Sequence, residues 1–191
     1  MRPAIVHAVV SSERPVIVFV CSGNRARSPL AAALLQRRLG DDVRVSSRGT
    51  LALGPLAALP EMVQAARSVG IDLAAHTAQP IAPGELAETD LVLGFELDHV
   101  ASAVVDGSAR RDVTFTLPGL LQLVPAAPAT GESPGERLED VVRGANLRQA
   151  GGDRLKPLTI ADPLGQRQSV FDRLVGELDE LTGRLARVLG A

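Results

Sequence analysis

The sequence predicts an α/β fold: a single doubly wound domain whose central parallel sheet of about four strands is flanked by helices on both faces. Three observations support this prediction. The length of 191 residues suits one domain. Short apolar runs typical of strands buried on both faces alternate with longer amphipathic segments. Hydrophobic residues form 46% of the chain, which is enough for an ordinary buried core.

Each predicted strand is followed by a segment with helical spacing. Pro29 suits the first turn of the first helix, and Gly40 and Gly70 suit the ends of the first two helices. The predicted strands are residues 16–20, 43–47, 90–95 and 113–115. The predicted helices are 28–39, 60–69, 96–105 and 170–189, with a helical turn or two at 117–123.

The predicted domain covers residues 15–191 and follows an N-terminal lead-in of residues 1–14. Residues 125–156 are rich in Pro, Gly and Ala, so we interpret them as a surface insertion. One amphipathic piece within that insertion, at 136–143, predicts a single short helix.

The charge balance and the cysteine count exclude several classes of function. Lys and Arg number 20 against 22 Asp and Glu, so the chain lacks the basic excess of a nucleic-acid-binding protein. The one cysteine and three histidines lack metal-ligand spacing, so we expect no metal and no cofactor. We find neither a signal peptide nor an apolar stretch of ~18 residues, so we expect no membrane contact and a cytoplasmic location. The sequence does not specify an oligomeric state.

The loop after the first strand carries the clearest chemistry. In doubly wound folds, ligands bind where the carboxyl end of a strand turns into a helix. Gly23 and Asn24 tolerate left-handed backbone angles, so successive amides can curl around an anion. The positive end of the following helix points to the same place. The predicted phosphate-binding residues are Ser22, Gly23, Asn24, Arg25, Ala26, Arg27 and Ser28.

Cys21 and Arg27 are the predicted catalytic pair of this loop. The planar guanidinium of Arg27 can hold two oxygens of a phosphate. The same donors favour ionisation of the Cys21 thiol, and only the thiolate is a good nucleophile. Ser28 could donate a hydrogen bond to the sulfur.

A cysteine followed by five residues, an arginine and a serine is the loop of the cysteine phosphatases. The segment from Val20 to Pro29 closely resembles the low-molecular-weight protein tyrosine phosphatase family, within a superfamily that also contains arsenate reductases. The family carries its general acid on an Asp-Pro loop ahead of the last helix, where this chain has Asp162 and Pro163. Residues 46–50 also resemble the family's stretch at the end of the second strand, and the resemblance covers roughly residues 15–189.

The resemblance implies a metal-independent phosphomonoester hydrolase, with a phosphorylated protein or a small phosphomonoester as substrate and phosphotyrosine as the expected group. Cys21 would attack phosphorus while the loop amides and Arg27 hold the oxygens. Asp162 would protonate the leaving oxygen and then, as a carboxylate, activate water to clear the phosphocysteine. Phosphate would be both product and inhibitor.

The chain departs from the family pattern at several positions. Leu164 stands where the family often has an aromatic residue that walls the substrate ring. Ala32 replaces a common Glu, and Arg25 with Ala26 replaces a frequent Ile-Cys pair. We interpret Arg25 as a charge on the rim of the site.

Two alternative functions share this loop. A single-cysteine arsenate reductase coupled to a small-molecule thiol would use Cys21 to attack arsenic and would not need Asp162. A phosphate-binding module without turnover would need only the loop. We interpret His76 and His99 as structural or surface residues in all three cases.

Overall fold

The structure, a computed structural model, describes residues 14–152, 156 and 158–191. One sheet holds four parallel strands in the order β2-β1-β3-β4, which confirms the predicted α/β fold. The predicted lead-in lies outside the described residues except for Arg14. The strands are β1 (Val16–Cys21), β2 (Arg44–Gly49), β3 (Leu91–Gly94) and β4 (Thr114–Thr116).

Helices cover both faces of the sheet, because alternate residues of a strand point to opposite sides. The helices are α1 (Arg27–Leu39), α2 (Pro60–Ala66), α3 (Leu97–Val105), α4 (Leu117–Leu123), α5 (Pro134–Ala150) and α6 (Gln168–Val188). Ile17 and Phe19 of β1 belong to the larger core, to which α1, α2, α4, α5 and α6 also contribute. Val18 and Val20 face the other side of the sheet, where they pack with Ala103 of α3.

The helix predicted at residues 60–69 is α-helical only as far as Ala66. Residues Arg67–Val69 form a turn of 3-10 helix instead. Gly70 follows with a φ of 70°, in the left-handed region that terminates many helices. The predicted end of this segment is therefore confirmed, although its last turn is tighter than an α-helix.

The helix within residues 125–156 is longer than predicted. The structure gives 17 residues, Pro134–Ala150, where the sequence predicted only 136–143. Its start is fixed by a capping box: Ser133 Oγ accepts from the Glu136 amide at 3.2 Å, and Glu136 Oε2 accepts from the Ser133 amide at 3.1 Å. This Ser-x-x-Glu pattern is the local signal that the prediction overlooked.

The interpretation of residues 125–156 as only a surface insertion is wrong for α5. Leu138, Val141 and Ala145 are buried and belong to the larger core. These three positions recur at helical spacing, so one face of α5 packs on the domain while the other faces solvent. The segment is therefore part of the structure that supports the sheet.

The parallel register gathers three strand ends at one edge of the sheet. Cys21 at the end of β1 is paired with Gly49 at the end of β2. Val20 is paired on its other side with Gly94, the last residue of β3. The chain segments that follow β1, β2 and β3 therefore begin side by side, and this edge is where a ligand site is expected.

We expect Leu138→Ala to destabilise the domain by about 2–5 kcal/mol, because it leaves a cavity under α5. Leu147→Ala is a matched control on the same helix, since 67% of Leu147 is exposed and its loss should change stability by less than about 0.5 kcal/mol. Urea unfolding of both variants measures the difference. Equal losses would contradict a core role for α5.

Candidate active site

The loop between β1 and α1 is held from outside through its carbonyl groups. In a trans peptide the C=O and the next N–H point in opposite directions. Outward carbonyls therefore direct the following amides, those of Ser22, Gly23, Arg25 and Ala26, toward the inside of the loop. The carbonyl contacts are Thr50 N to Cys21 O (2.9 Å), Leu51 N to Ser22 O (3.0 Å), His76 Nε2 to Asn24 O (2.7 Å) and Leu59 N to Arg25 O (2.9 Å).

The N-terminus of α1 completes this concave set of donors. The helix begins at Arg27, and the side chain of the preceding Ala26 makes no capping hydrogen bond. The first amides of a helix have no partner within the helix and carry partial positive charge. The loop and the helix start together present donors suited to an anion, which makes this the candidate anion site.

Asn24 holds the curvature of the loop from within. Its φ of 51° places it in the left-handed region, which Gly23, although it would tolerate such angles, does not adopt. The Asn24 side chain is fully buried. Its Nδ2 donates to Ser28 Oγ (2.9 Å) and Ser47 Oγ (2.8 Å), and its Oδ1 accepts from Gln79 N (2.8 Å).

Cys21 and Ser28 lie side by side at the base of the loop. The Cys21 sulfur is 3.0 Å from Ser28 Oγ, and the cysteine is only 2% exposed. Because Asn24 Nδ2 already donates to Ser28 Oγ, the hydroxyl proton of Ser28 is available to the sulfur or to Arg48 O, 3.3 Å away. This arrangement lets Ser28 stabilise a thiolate at Cys21.

Arg27 is buried to 1% exposure and is held by two carboxylates from distant parts of the chain. Its Nη2 donates to Asp162 Oδ2 at 2.6 Å, and its Nη1 donates to Glu96 Oε1 and, at 2.9 Å, to Ile160 O. The guanidinium also lies 5.9 Å from the centroid of the Phe95 ring. The structure thus brings the predicted residues Arg27 and Asp162 into direct contact.

Leucine side chains and one arginine surround the opening of the site. Leu51, Leu53 and Leu164 line it and are exposed by 51%, 47% and 64%. Arg25 lines the same opening, where its Nε donates to Ala57 O at 2.7 Å. The predicted rim position of Arg25 therefore agrees with the structure. The opening of the site therefore combines the apolar surface of three leucines with the positive charge of Arg25.

His99 belongs to the site, although the sequence indicated a structural or surface role. It is 3% exposed, and its Nε2 lies 3.1 Å from Ser22 Oγ. Burial lowers the pKa of His99 below its ordinary value of 6.5, and the positive charge of Arg27 lowers it further. The carboxylates of Glu96, Asp162 and Asp98 oppose this shift without cancelling it.

Sequence reasoning missed Glu96 and His99 because neither lies in the loop motif. Glu96 lies two residues beyond Gly94, the last residue of β3, and a polar residue just after a buried strand was the available signal. The signal could be interpreted only with the order of the strands in the sheet, because Glu96 lies beside Arg27 only when β3 is adjacent to β1. The contact between His76 and Asn24 O was missed for the same reason.

The described part of the chain contains no group of three or more His, Cys, Asp or Glu side chains that could hold a metal ion. Within residues 14–152, 156 and 158–191, no helix is long and apolar enough to cross a membrane.

Comparisons with known proteins give one family match and relatives named for several activities. Residues 16–118 match the family described as low molecular weight phosphotyrosine protein phosphatase. A protein-arginine-phosphatase of Bacillus subtilis is 29% identical over 91% of this chain and 95% of its own length. An arsenate reductase of Staphylococcus haemolyticus is 36% identical over 42% of this chain and 60% of its own length. The solution structure of a low molecular weight protein tyrosine phosphatase from Bacillus subtilis is 28% identical, has a TM-score of 0.65, and is matched over 91% of this chain and 96% of that protein.

The lowered pKa of His99 predicts a specific loss of stability in acid. Unfolded protein binds a proton at this histidine near pH 6.5, whereas folded protein resists protonation, so the free energy of unfolding falls as the pH drops below about 6.5. The free energy of unfolding stops falling from this cause once His99 is protonated in the folded protein as well.

Replacing His99 with Asn removes this titration, so we expect the variant to lose less stability than the wild type between about pH 7.5 and pH 5. Urea unfolding at several pH values measures the two curves. Parallel curves would show that His99 titrates normally in the folded protein.

Proposed function

The chain belongs to the low molecular weight phosphotyrosine protein phosphatase family, and on that premise we propose that it is a metal-independent, cysteine-dependent phosphomonoester hydrolase acting on phosphotyrosine. The observation that carries the proposal is the convergence of Cys21, Arg27 and Asp162 on one pocket. The family match ends at residue 118, so the assignment of Asp162 depends on this geometry and on the Asp-Pro resemblance.

The first step transfers the phosphoryl group to the enzyme. The Cys21 thiolate attacks phosphorus and forms the S–P bond while the bond from phosphorus to the leaving oxygen breaks. The inward amides of the loop and the Arg27 guanidinium stabilise the charge on the phosphoryl oxygens. Asp162 gives its proton to the leaving oxygen, so the product departs as a neutral alcohol or phenol.

The contact between Asp162 and Arg27 favours a protonated Asp162 when substrate is bound. A phosphoryl dianion beside Arg27 would face the negative charges of both Asp162 and Glu96. A proton on Asp162 removes one of these repulsions and also provides the acid that the first step needs.

The second step releases phosphate. Asp162, now a carboxylate, takes a proton from a water molecule as that water attacks phosphorus. The new P–O bond forms and the S–P bond breaks, which returns Cys21 to the thiolate. Ser28, 3.0 Å from the sulfur, donates a hydrogen bond that makes the thiolate a better leaving group.

The mouth of the pocket favours an aromatic phosphate ester over phosphoarginine, the group named for the Bacillus relative. The leucines at 51, 53 and 164 offer apolar surface to a phenyl ring. A substrate guanidinium would instead meet the like charge of Arg25 at the same opening. The chain's one free thiol needs a reducing compartment, so we place this activity in the cytoplasm.

The central test is hydrolysis of para-nitrophenyl phosphate in the presence of a metal chelator. We expect Cys21→Ser to abolish turnover, because the alcohol is a poor nucleophile. We expect Asp162→Asn to lower kcat by roughly 10²- to 10⁴-fold, because the general acid is lost. Asp41→Asn is the control, since this carboxylate is fully exposed and outside the pocket.

Turnover that survives in Cys21→Ser would contradict the proposed mechanism. An inactive, fully reduced wild type would direct attention to arsenate reduction with small-molecule thiols. The chain has no second cysteine for an internal disulfide relay, so such a reductase would need an external thiol. Tight phosphate binding without turnover would indicate the binding module.

The substrate preference is tested separately with phosphotyrosine and phosphoarginine peptides of the same sequence. We expect a higher kcat/KM for phosphotyrosine. Arg25→Ala should reduce the ratio of the two kcat/KM values, because it removes the cation that repels a substrate guanidinium. A preference of the wild type for phosphoarginine would overturn the assignment of phosphotyrosine while leaving the cysteine mechanism intact.

A further inference from the structure

The ring of His99 is held in one tautomer by the backbone at the end of β3. Its Nδ1 lies 3.2 Å from the amide nitrogens of both Phe95 and Glu96. Backbone amides only donate, so Nδ1 must be the acceptor and carry no proton. A neutral imidazole with an accepting Nδ1 carries its proton on Nε2. The buried position keeps the ring neutral at ordinary pH.

This tautomer decides the hydrogen bonding of Ser22. The protonated Nε2 of His99 donates to Ser22 Oγ at 3.1 Å, and Arg27 Nη2 donates to the same oxygen at 3.3 Å. A hydroxyl can accept two hydrogen bonds and donate one. Since both donors occupy the accepting side of Ser22 Oγ, its proton must point away from them. Ser22 lines the pocket together with Cys21, so a phosphoryl group bound in the pocket could accept this proton.

Contacts at the end of β3, outside the pocket, hold the His99 ring in position. A side chain at Gly94 would place its Cβ 2.8 Å from the Cβ of His99, so the glycine at the end of β3 leaves the space that the histidine fills. The Phe95 ring packs against the imidazole edge to face, with centroids 6.3 Å apart. These contacts and the two amide hydrogen bonds orient Nε2 toward Ser22.

We propose that His99 is a positioning residue of the phosphate site, which acts through Ser22 by aiming the Ser22 hydroxyl proton at the phosphoryl oxygens. The inference rests on the proposed function in one respect, namely that the pocket binds a phosphoryl group. A donor that is already oriented needs no reorganisation when the anion arrives, so its whole hydrogen bond contributes to binding. Ser22 thereby adds a side-chain donor to the ring of backbone amides.

The test is a double-mutant cycle on the affinity for inorganic phosphate, measured by calorimetric titration. Ser22→Ala removes the donor, and we expect the Kd to rise by roughly 10- to 100-fold, the usual range for a hydrogen bond to a charged group. His99→Asn keeps an acceptor near the position of Nδ1 but removes the Nε2 donor, so it should reproduce most of that rise. The double variant should bind no more weakly than Ser22→Ala alone.

A purely structural role for His99 gives a different result. The effects of Ser22→Ala and His99→Asn would then multiply in the double variant, and that outcome would overturn the proposal. Ser22→Thr retains a hydroxyl and should keep most of the affinity. Ser102→Ala, on the same helix as His99 but outside the pocket, should leave the Kd unchanged.

The ¹⁵N NMR spectrum of wild-type protein tests the same inference without a variant. We expect the Nε2 resonance of His99 to show a bound proton and the Nδ1 resonance to show none, with Nε2 shifting when phosphate is added. A proton on Nδ1 would overturn the proposal even if His99→Asn failed to fold. If the wild type binds phosphate and the double-mutant cycle gives the expected result, but the protein does not hydrolyse phosphate esters, only the proposed function is contradicted. If the wild type binds no phosphate, both the proposed function and the role of His99 are contradicted.

Discussion

The buried guanidinium of Arg27 is the interaction on which the arrangement of the site depends. It joins three parts of the chain that are far apart in sequence: the loop after β1, Glu96 after β3, and the segment of Ile160 and Asp162 ahead of α6. A charge that is buried so completely is stable only with partners, and losing one partner of such a pair typically costs about 3–5 kcal/mol. The same contacts that stabilise Arg27 therefore bring the proposed catalytic groups together.

The candidate anion site follows from the way the sheet places its strand ends side by side. The parallel register sets the end of β1 against the ends of β2 and β3, so the segment after β2 can hold the loop carbonyls from outside. Gly49 permits this approach, because a Cβ there would lie 3.0 Å from the carbonyl oxygen of Ser22. The amides face inward as a consequence, and charge on a bound phosphoryl group is stabilised without rearrangement of the backbone.

Local patterns were sufficient to predict most of the fold. The apolar run of β1, its short loop and the stripe of α1 each depend on neighbours a few residues apart, and all three appear in the structure near their predicted bounds. The prediction was too short for α5, because Gly135 and Gly144 weaken the helical pattern that tertiary packing of Leu138 and Val141 supports. In the loop after β1, Gly23 and Asn24 were both expected to tolerate left-handed backbone angles, and of the two only Asn24 adopts that conformation.

The sequence by itself determined the loop that carries the proposed nucleophile, because Cys21, Arg27 and Ser28 lie within eight consecutive residues whose spacing alone brings them together. It also indicated Asp162 through the Asp-Pro resemblance, but not the partner of that carboxylate. Only the tertiary structure decided that Arg27 binds Glu96, 69 residues away, and that Ser22 binds His99, 77 residues away. Such contacts depend on which strand lies beside β1 and in what register, and no local pattern carries that information.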